Sequence, residues 1–283
     1  MGRRYWTAVA RERMDPEQVS QARVYDYLLG GRNNFAVDQT AAEAIIALNP
    51  DAPLVARANR AFLRRAVRYL VGRGIRQFVD IGSGLPTVGN VHEVARQAAP
   101  DAGVVYVDND PVAVMYSRQL LQDNPRAVAV PGDLREVDLL LDRLTDPRLR
   151  QVVNLDRPVA VLLVAVLHFF PDHTGPQQLV TRLREAMPPG SALVISHLAT
   201  ESFTPADVAA VQGIYRERGT GYPITRTREQ VQAFFVFPLV DPGLVYVSQW
   251  HHAAGDEPAG FAQDPARSGG HAGVAVKPSG PAT

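Results

Sequence analysis

The chain has no cysteine among its 283 residues. Disulfide scaffolds, cysteine-based zinc sites and thiol nucleophiles are therefore excluded. Lysine is nearly absent too: Lys277 stands alone, and the other basic residues are arginine, a skew of base composition that carries no functional message. Charge of either sign is not in excess, with 29 basic and 29 acidic side chains and a pI near 7.1. That balance, with no basic, aromatic-rich strip, argues against a nucleic-acid partner. Clusters such as Arg64-Arg65 read as solvated helix faces. No run reaches the roughly 18 apolar residues of a membrane span. The longest, Val159 to Phe170, contains His168 and suits a buried strand. The first thirty residues lack a signal-peptide apolar core, so a cytoplasmic protein away from membranes is expected. With 46% hydrophobic residues, the composition fits one large globular domain, or one with additions.

What is present centres on residues 77–87, Gln-Phe-Val-Asp-Ile-Gly-Ser-Gly-Leu-Pro-Thr. An apolar run broken only by Asp80 leads into Gly82-Ser83-Gly84 and then a helically spaced segment with Val91, Val94 and Ala95. This is strand, tight glycine turn, helix. Glycines let the backbone approach a ligand, and a helix start offers unpaired N–H groups. The next apolar run, Val104 to Val107, ends in Asp108, where a carboxylate can accept hydrogen bonds from both ribose hydroxyls. An adenosine-containing ligand is expected. The dinucleotide fingerprint calls for a third glycine, but Thr87 stands there. Acid-x-Gly-x-Gly followed by a later acid resembles instead the first motifs of Rossmann-like methyltransferases that use S-adenosylmethionine (SAM). That ligand has no pyrophosphate, and Asp80 can help to hold its ammonium group.

In chain order, residues 1–14 read as a flexible terminus. Residues 15–74 read as a helical cap: a helix started by Asp15-Pro16-Glu17 and stopped at Gly30-Gly31, a second capped by Asp38, and a third from about Pro53 to Val71. From residue 75 strands and helices alternate through 252, which predicts an α/β, mostly parallel sheet. Thr174 with Gln177 and Thr227 with Gln230 read as capping boxes. Strands within Phe235–Val240 and Leu244–Gln249 would form an antiparallel pair at the end. Residues 253–283, of which 20 of 31 are Gly, Ala, Pro or Ser, read as disordered.

Polar residues at strand ends are the candidates for chemistry. Asp133 suits either a helix cap or an adenine contact, Asp110-Pro111 a helix cap, and His168 either a hydrogen-bonded strand-end histidine or a base near the substrate. The helix with Tyr25, Asp26 and Tyr27, followed by Gly30-Gly31 and Asn33-Asn34, reads either as an amphipathic helix with its cap or as an aromatic lid; rings there would favour a sulfonium cation.

These segments together resemble a bacterial S-adenosyl methyltransferase family once catalogued as a domain of unknown function. The resemblance runs through Ala22–Gly31 with Asn34-Phe35, Asp80–Thr87, Asn90–Glu93, Val105–Pro111, Asp133–Arg135, Val164–Phe169, Pro242–Val245 and Ser248–Trp250. It implies a Rossmann-like class I SAM-methyltransferase sheet with an antiparallel last strand, behind an N-terminal helical extension. It implies cofactor contacts at Asp80, Gly82, Ser83, Gly84, Asp108, Asn109, Asp133, Leu134 and the turn Ala165, Val166 to His168, and it strengthens a functional reading of Tyr25 and Asn34. No metal is implied. The expected activity is methyl transfer from SAM to a small-molecule acceptor, with His168 the candidate base and Thr200–Pro223, including Gly219 and Gly221, covering the substrate. An NAD(P)-dependent oxidoreductase and a non-catalytic SAM-binding protein remain the alternatives.

Overall fold

Ser20, not Asp15, opens the first helix. Its Oγ accepts the Arg23 N–H at 3.4 Å, and α1 runs Gln21–Leu28. Asp15-Pro16-Glu17 is a turn instead, because Val19 is buried among Val24, Ala41 and Ala42 in an extended stretch that a longer helix would withdraw. The computed structural model describes residues 15–86, 89–218, 221–252 and 259–279; the predicted flexible segment 1–14, Thr87 and Gly219 lie outside them. Helix α2 spans Ala36–Leu48 and α3 spans Ala52–Gly72. Asp38 sits inside the first turn of α2, where Oδ2 accepts the Phe35 N–H at 2.9 Å.

The alternating part is β1 (Gln77–Ile81), α4 (Val91–Ala98), β2 (Gly103–Asp108), α5 (Pro111–Leu120), β3 (Ala127–Pro131), α6 (Val137–Leu144), β4 (Ala160–Val164), α7 (Pro176–Ala186), β5 (Ala192–Leu198), α8 (Pro205–Arg218), α9 (Arg228–Gln232), β6 (Val245–Tyr246) and β7 (Gly270–Val276). The sheet order is β3-β2-β1-β4-β5-β7-β6, parallel from β3 to β5, with β7 antiparallel to both its neighbours. The parallel strands are apolar because helices cover both faces. Phe78, Val104 and Leu162 pack toward α3 and α4, while Val79, Val105 and Leu163 pack toward α6 and α7. The order reverses between β1 and β4, so their carboxyl ends open a crevice.

Three expectations are corrected. The tail is not disordered in its described part, because β7 pairs residue for residue with all of β5. Its small residues are a packing requirement: a Cβ on Gly270 would lie 2.6 Å from the His197 carbonyl oxygen. The expected hairpin is also absent. β7 takes the place beside β5, leaving β6 two residues long and Leu239 a single bridge to Ala275. Thr174 does not cap α7; its hydroxyl donates to the Pro171 carbonyl at 2.7 Å, and Gly175, at φ +66°, precedes the helix. The Thr227–Gln230 capping box is present. We expect Gly270→Ala to destabilise the protein by about 1–3 kcal/mol through overpacking against backbone; an unchanged denaturant midpoint would contradict this packing.

Arg65 is likewise not a solvated arginine. It is buried, and its Nε and Nη2 each donate at 2.6 Å, to the carbonyls of Trp250 and Val247. Trp250 is fully buried, edge-on to Phe62 and Tyr69. The Ser248-Gln249-Trp250 segment is thus an anchor for α3.

Candidate cofactor and acceptor site

At the carboxyl end of β1 the chain must turn sharply, and Gly82 and Gly84 take φ of +70° and +66°. The Gly82 N–H donates to the Val107 carbonyl at 2.8 Å, which fixes the turn against β2. A Cβ on Gly82 would meet Val166 Cγ2 at 2.5 Å, whereas no described residue lies within 4 Å of a Cβ on Gly84. Gly82 therefore serves close packing, and Gly84 is uncrowded among the described residues. Asp108 ends β2, and its Oδ2 accepts the Gly84 N–H at 2.7 Å while Oδ1 accepts the Asp110 N–H at 2.8 Å. Burial pushes its carboxyl up to about 6, against these hydrogen bonds. An ionised carboxylate has about four acceptor positions, so capacity remains for a ligand. Asp80 lies on the face of β1 beneath α3. Burial raises it to about 7, Arg60 opposing and Asp108 reinforcing the shift.

Asp133 follows β3 and acts as a cap, accepting the Arg135 N–H at 3.0 Å, and it also pairs with the Arg135 guanidinium. Burial would raise it, but the bonds from Arg135 outweigh this and hold it below the usual carboxylate range. Asn109 Nδ2 donates to Asp133 Oδ2 at 3.2 Å. Asp110 caps α5 through Oδ1, 2.7 Å from the Val112 N–H, while Oδ2 accepts from Ser20 and lies 3.5 Å from Arg23 Nη1. The helical cap is thereby tied to the turn that carries Asp108.

These residues border one cavity of about 300 Å³. Asp80, Gly82, Ser83, Gly84, Asp108, Asn109, Asp133, Leu134, Ala165, Val166, His168 and Tyr25 all line it; Asn34 does not. Asn34 instead donates to Asp26 Oδ2 at 2.8 Å and to the Gly31 carbonyl at 3.1 Å, shaping the loop after α1. Gly31 is required there, since a Cβ would lie 2.1 Å from Asp26 Oδ1. Of the two tyrosines, only Tyr25 reaches the cavity; Tyr27 bonds Glu43 outside it.

Beyond Val166 the walls become apolar, with Phe169, Phe203, Val208, Val211 and Tyr215. His168 is buried there, and its Nδ1 has no hydrogen-bond partner among the described residues. Burial, then the neighbouring His197 and Arg226, push its pKa well below the usual histidine value, so the ring is neutral. Sequence reasoning missed the support behind it. Arg226 is 3% exposed and donates to the carbonyls of Leu167 and Phe170 and to Asp172 Oδ1 at 2.6 Å. It also donates to His197 Nε2 at 2.7 Å, and His197, lowered to about 3 mainly by burial, donates from Nδ1 to the Leu198 carbonyl. A buried arginine in a connecting loop leaves no periodic signal.

A family model described as S-adenosyl methyltransferase matches residues 7–278. The chain belongs to the S-adenosyl methyltransferase family. It is similar to the crystal structure of a candidate methyltransferase from Thermobifida fusca, at 36% identity and a TM-score of 0.83 over 95% of this chain and 98% of that one. It is also similar to a DUF574-family protein from Streptomyces avermitilis, at 38% identity and a TM-score of 0.85 over 93% and 99%. No protein of curated function matches it. This methyltransferase uses S-adenosylmethionine, and the oxidoreductase alternative is set aside. No helix among its described residues is long and apolar enough to cross a membrane.

The donor set fits the cofactor. A Gly84 uncrowded by any described residue, a buried carboxylate with spare acceptor capacity at Asp108 and a second buried carboxylate at Asp80 match a ribose and a cationic amino-acid end.

Proposed function

We propose that this methyltransferase acts on a small, largely apolar acceptor carrying a hydroxyl group, with His168 receiving the hydroxyl proton. The observation that carries the reading is His168, a buried imidazole among the residues lining the cavity, whose Nδ1 has no hydrogen-bond partner among the described residues. Other polar groups nearby are already engaged: Asp207 accepts from the Thr204 hydroxyl at 2.6 Å, and the Ser268 hydroxyl donates to the Pro265 carbonyl at 2.6 Å.

In this reading Asp108 holds the ribose hydroxyls, Asp80 faces the amino-acid end, and the 82–84 turn and the 165–166 turn form the floor between them. Asp133 and Leu134 border the adenine. Bound SAM supplies an electrophilic methyl group on a sulfonium. The chain's own contribution would be alignment of the acceptor in a largely apolar site. A neutral His168 accepts a hydrogen bond from the hydroxyl and takes its proton as the oxygen reacts. Next to His197 and Arg226 the imidazolium so formed would be a strong acid, and it would pass the proton to solvent when the methylated product leaves.

The test is a screen of phenols, alcohols and amines with isotopically labelled methyl donor. On the acceptor found, His168→Gln is expected to lower kcat by roughly 10²-fold while cofactor affinity stays within about threefold. Methylation confined to nitrogen, or full turnover by His168→Gln, would refute the hydroxyl reading. Cofactor binding with no methylated product across the screen would favour a non-catalytic SAM-binding protein.

A further inference from the structure

Along one wall of the cavity a chain of hydrogen bonds joins the helical cap to the turn after β4. Ala165, the first residue of that turn, has φ +58°, a left-handed conformation that a side chain with a Cβ resists. Its N–H donates to Ser196 Oγ on β5 at 2.9 Å. The Ser196 hydroxyl donates to Asn59 Oδ1 on α3 at 2.6 Å, and Asn59 Nδ2 donates to the Tyr25 hydroxyl on α1 at 2.9 Å. Tyr25 in turn donates to the Ala56 carbonyl at 3.0 Å. Each hydroxyl spends its single proton in the same direction. Ser196 and Asn59 are buried, so deleting any member leaves a buried polar group unpaired. Burial also raises the Tyr25 pKa, which keeps it a neutral donor. Immediately after Ala165, Val166 seats against Gly82, and His168 follows two residues on.

We propose that Ser196 and Asn59 are positioning residues that hold Ala165 in its left-handed conformation, fixing Val166 against the glycine turn, with Tyr25 coupling that setting to the docking of α1. The proposal rests on the placement of the cofactor above. None of this wall is visible in residue spacing, since the members come from three helical or strand segments far apart in sequence. Loss of the Ser196 hydroxyl frees the Ala165 N–H, lets the peptide relax to negative φ and shifts Val166 relative to Gly82. Cofactor affinity falls although neither Ser196 nor Asn59 need touch the cofactor.

The experiment is calorimetric titration of SAM and S-adenosylhomocysteine into the full chain and into Ser196→Ala, Tyr25→Phe, Ala165→Gly and the doubles with Ala165→Gly, each with a thermal melt. Ser196→Ala is expected to weaken binding about tenfold or more. Adding Ala165→Gly should restore most of that loss, since glycine adopts this backbone without help. A merely structural loss of packing would not be rescued by a glycine. Tyr25→Phe should weaken binding several-fold. Wild-type affinity in Ser196→Ala, or strictly additive effects with Ala165→Gly, would overturn the relay. Should Ser196→Ala fail to fold, the cycle of Tyr25→Phe with Ala165→Gly decides in the same way. A wild-type chain that binds neither nucleoside would sink the cofactor placement and the relay together, whereas a binding wild type with an additive cycle sinks the relay alone.

Discussion

Asp108→Ala is expected to cut affinity for SAM by more than 100-fold while the chain still melts cooperatively. On the proposed placement this carboxylate holds both ribose hydroxyls, and losing two charge-assisted hydrogen bonds costs roughly 3 kcal/mol or more. The fold should tolerate the change because the carboxylate is itself held at a cost: burial drives its pKa up to about 6 despite the Gly84 and Asp110 N–H donors. Calorimetric titration reads the affinity and circular dichroism the fold. A folded variant with near-wild-type affinity would mean that the ribose lies elsewhere.

The second large effect is on pH. Asp80 has its pKa raised to about 7 in the ligand-free protein, first by burial, with Arg60 on α3 lowering it and Asp108 on β2 raising it. In the folded chain this carboxyl therefore holds a proton that the unfolded chain, at an ordinary carboxylate value, has already released. Between that value and pH 7 the folded state binds more protons than the unfolded one, so ligand-free stability falls as pH rises through this window. Cofactor binding has the opposite slope. If Asp80 must be ionised to face a cationic group, affinity is full above pH 7 and weakens about tenfold per unit below it, on the order of 100-fold at pH 5. The rise in Tm caused by SAM should accordingly grow from pH 5 to pH 8, and Asp80→Asn should remove the slope between pH 6 and pH 7, leaving below it the part due to Asp108, whose carboxyl titrates at about 6. A pH-independent Kd in the wild type would remove Asp80 from the cofactor's charged end.

The parts legible in the sequence are those where one residue type is dictated by backbone geometry or by strand ends. Gly82 and Gly84 had to be glycine at φ of +70° and +66°, and Asp108 had to end a strand beside them. The parallel core was legible because strands covered on both faces become continuous apolar runs. β7 was not legible, because the β5 backbone at Gly270 and the Leu239, Phe235 and Leu244 side chains at Gly273 leave no room for larger residues, and the result mimics low complexity. Asn34 entered as a cofactor contact only through the family resemblance, and its side chain serves the loop that Asp26 organises. Asn59, Ser196 and Arg226 gave no signal, since a polar residue on a helix or strand end is ordinary until its partner across the fold is known.

The position of β7 bears on how the chain folds during synthesis. β7 is the last strand in chain order, but it lies between β5 and β6 in the sheet. Until residues 270–276 emerge, β5 presents an open edge of unpaired backbone groups, and β6 has no strand to join. The wall that carries Ser196 is therefore among the last parts to be secured, after the glycine turn and the Asp108 strand have already met. A nascent chain of this protein is thus most exposed to wrong pairing along β5, and a halt in translation before residue 270 should leave a species that recruits other strands rather than one that binds the cofactor.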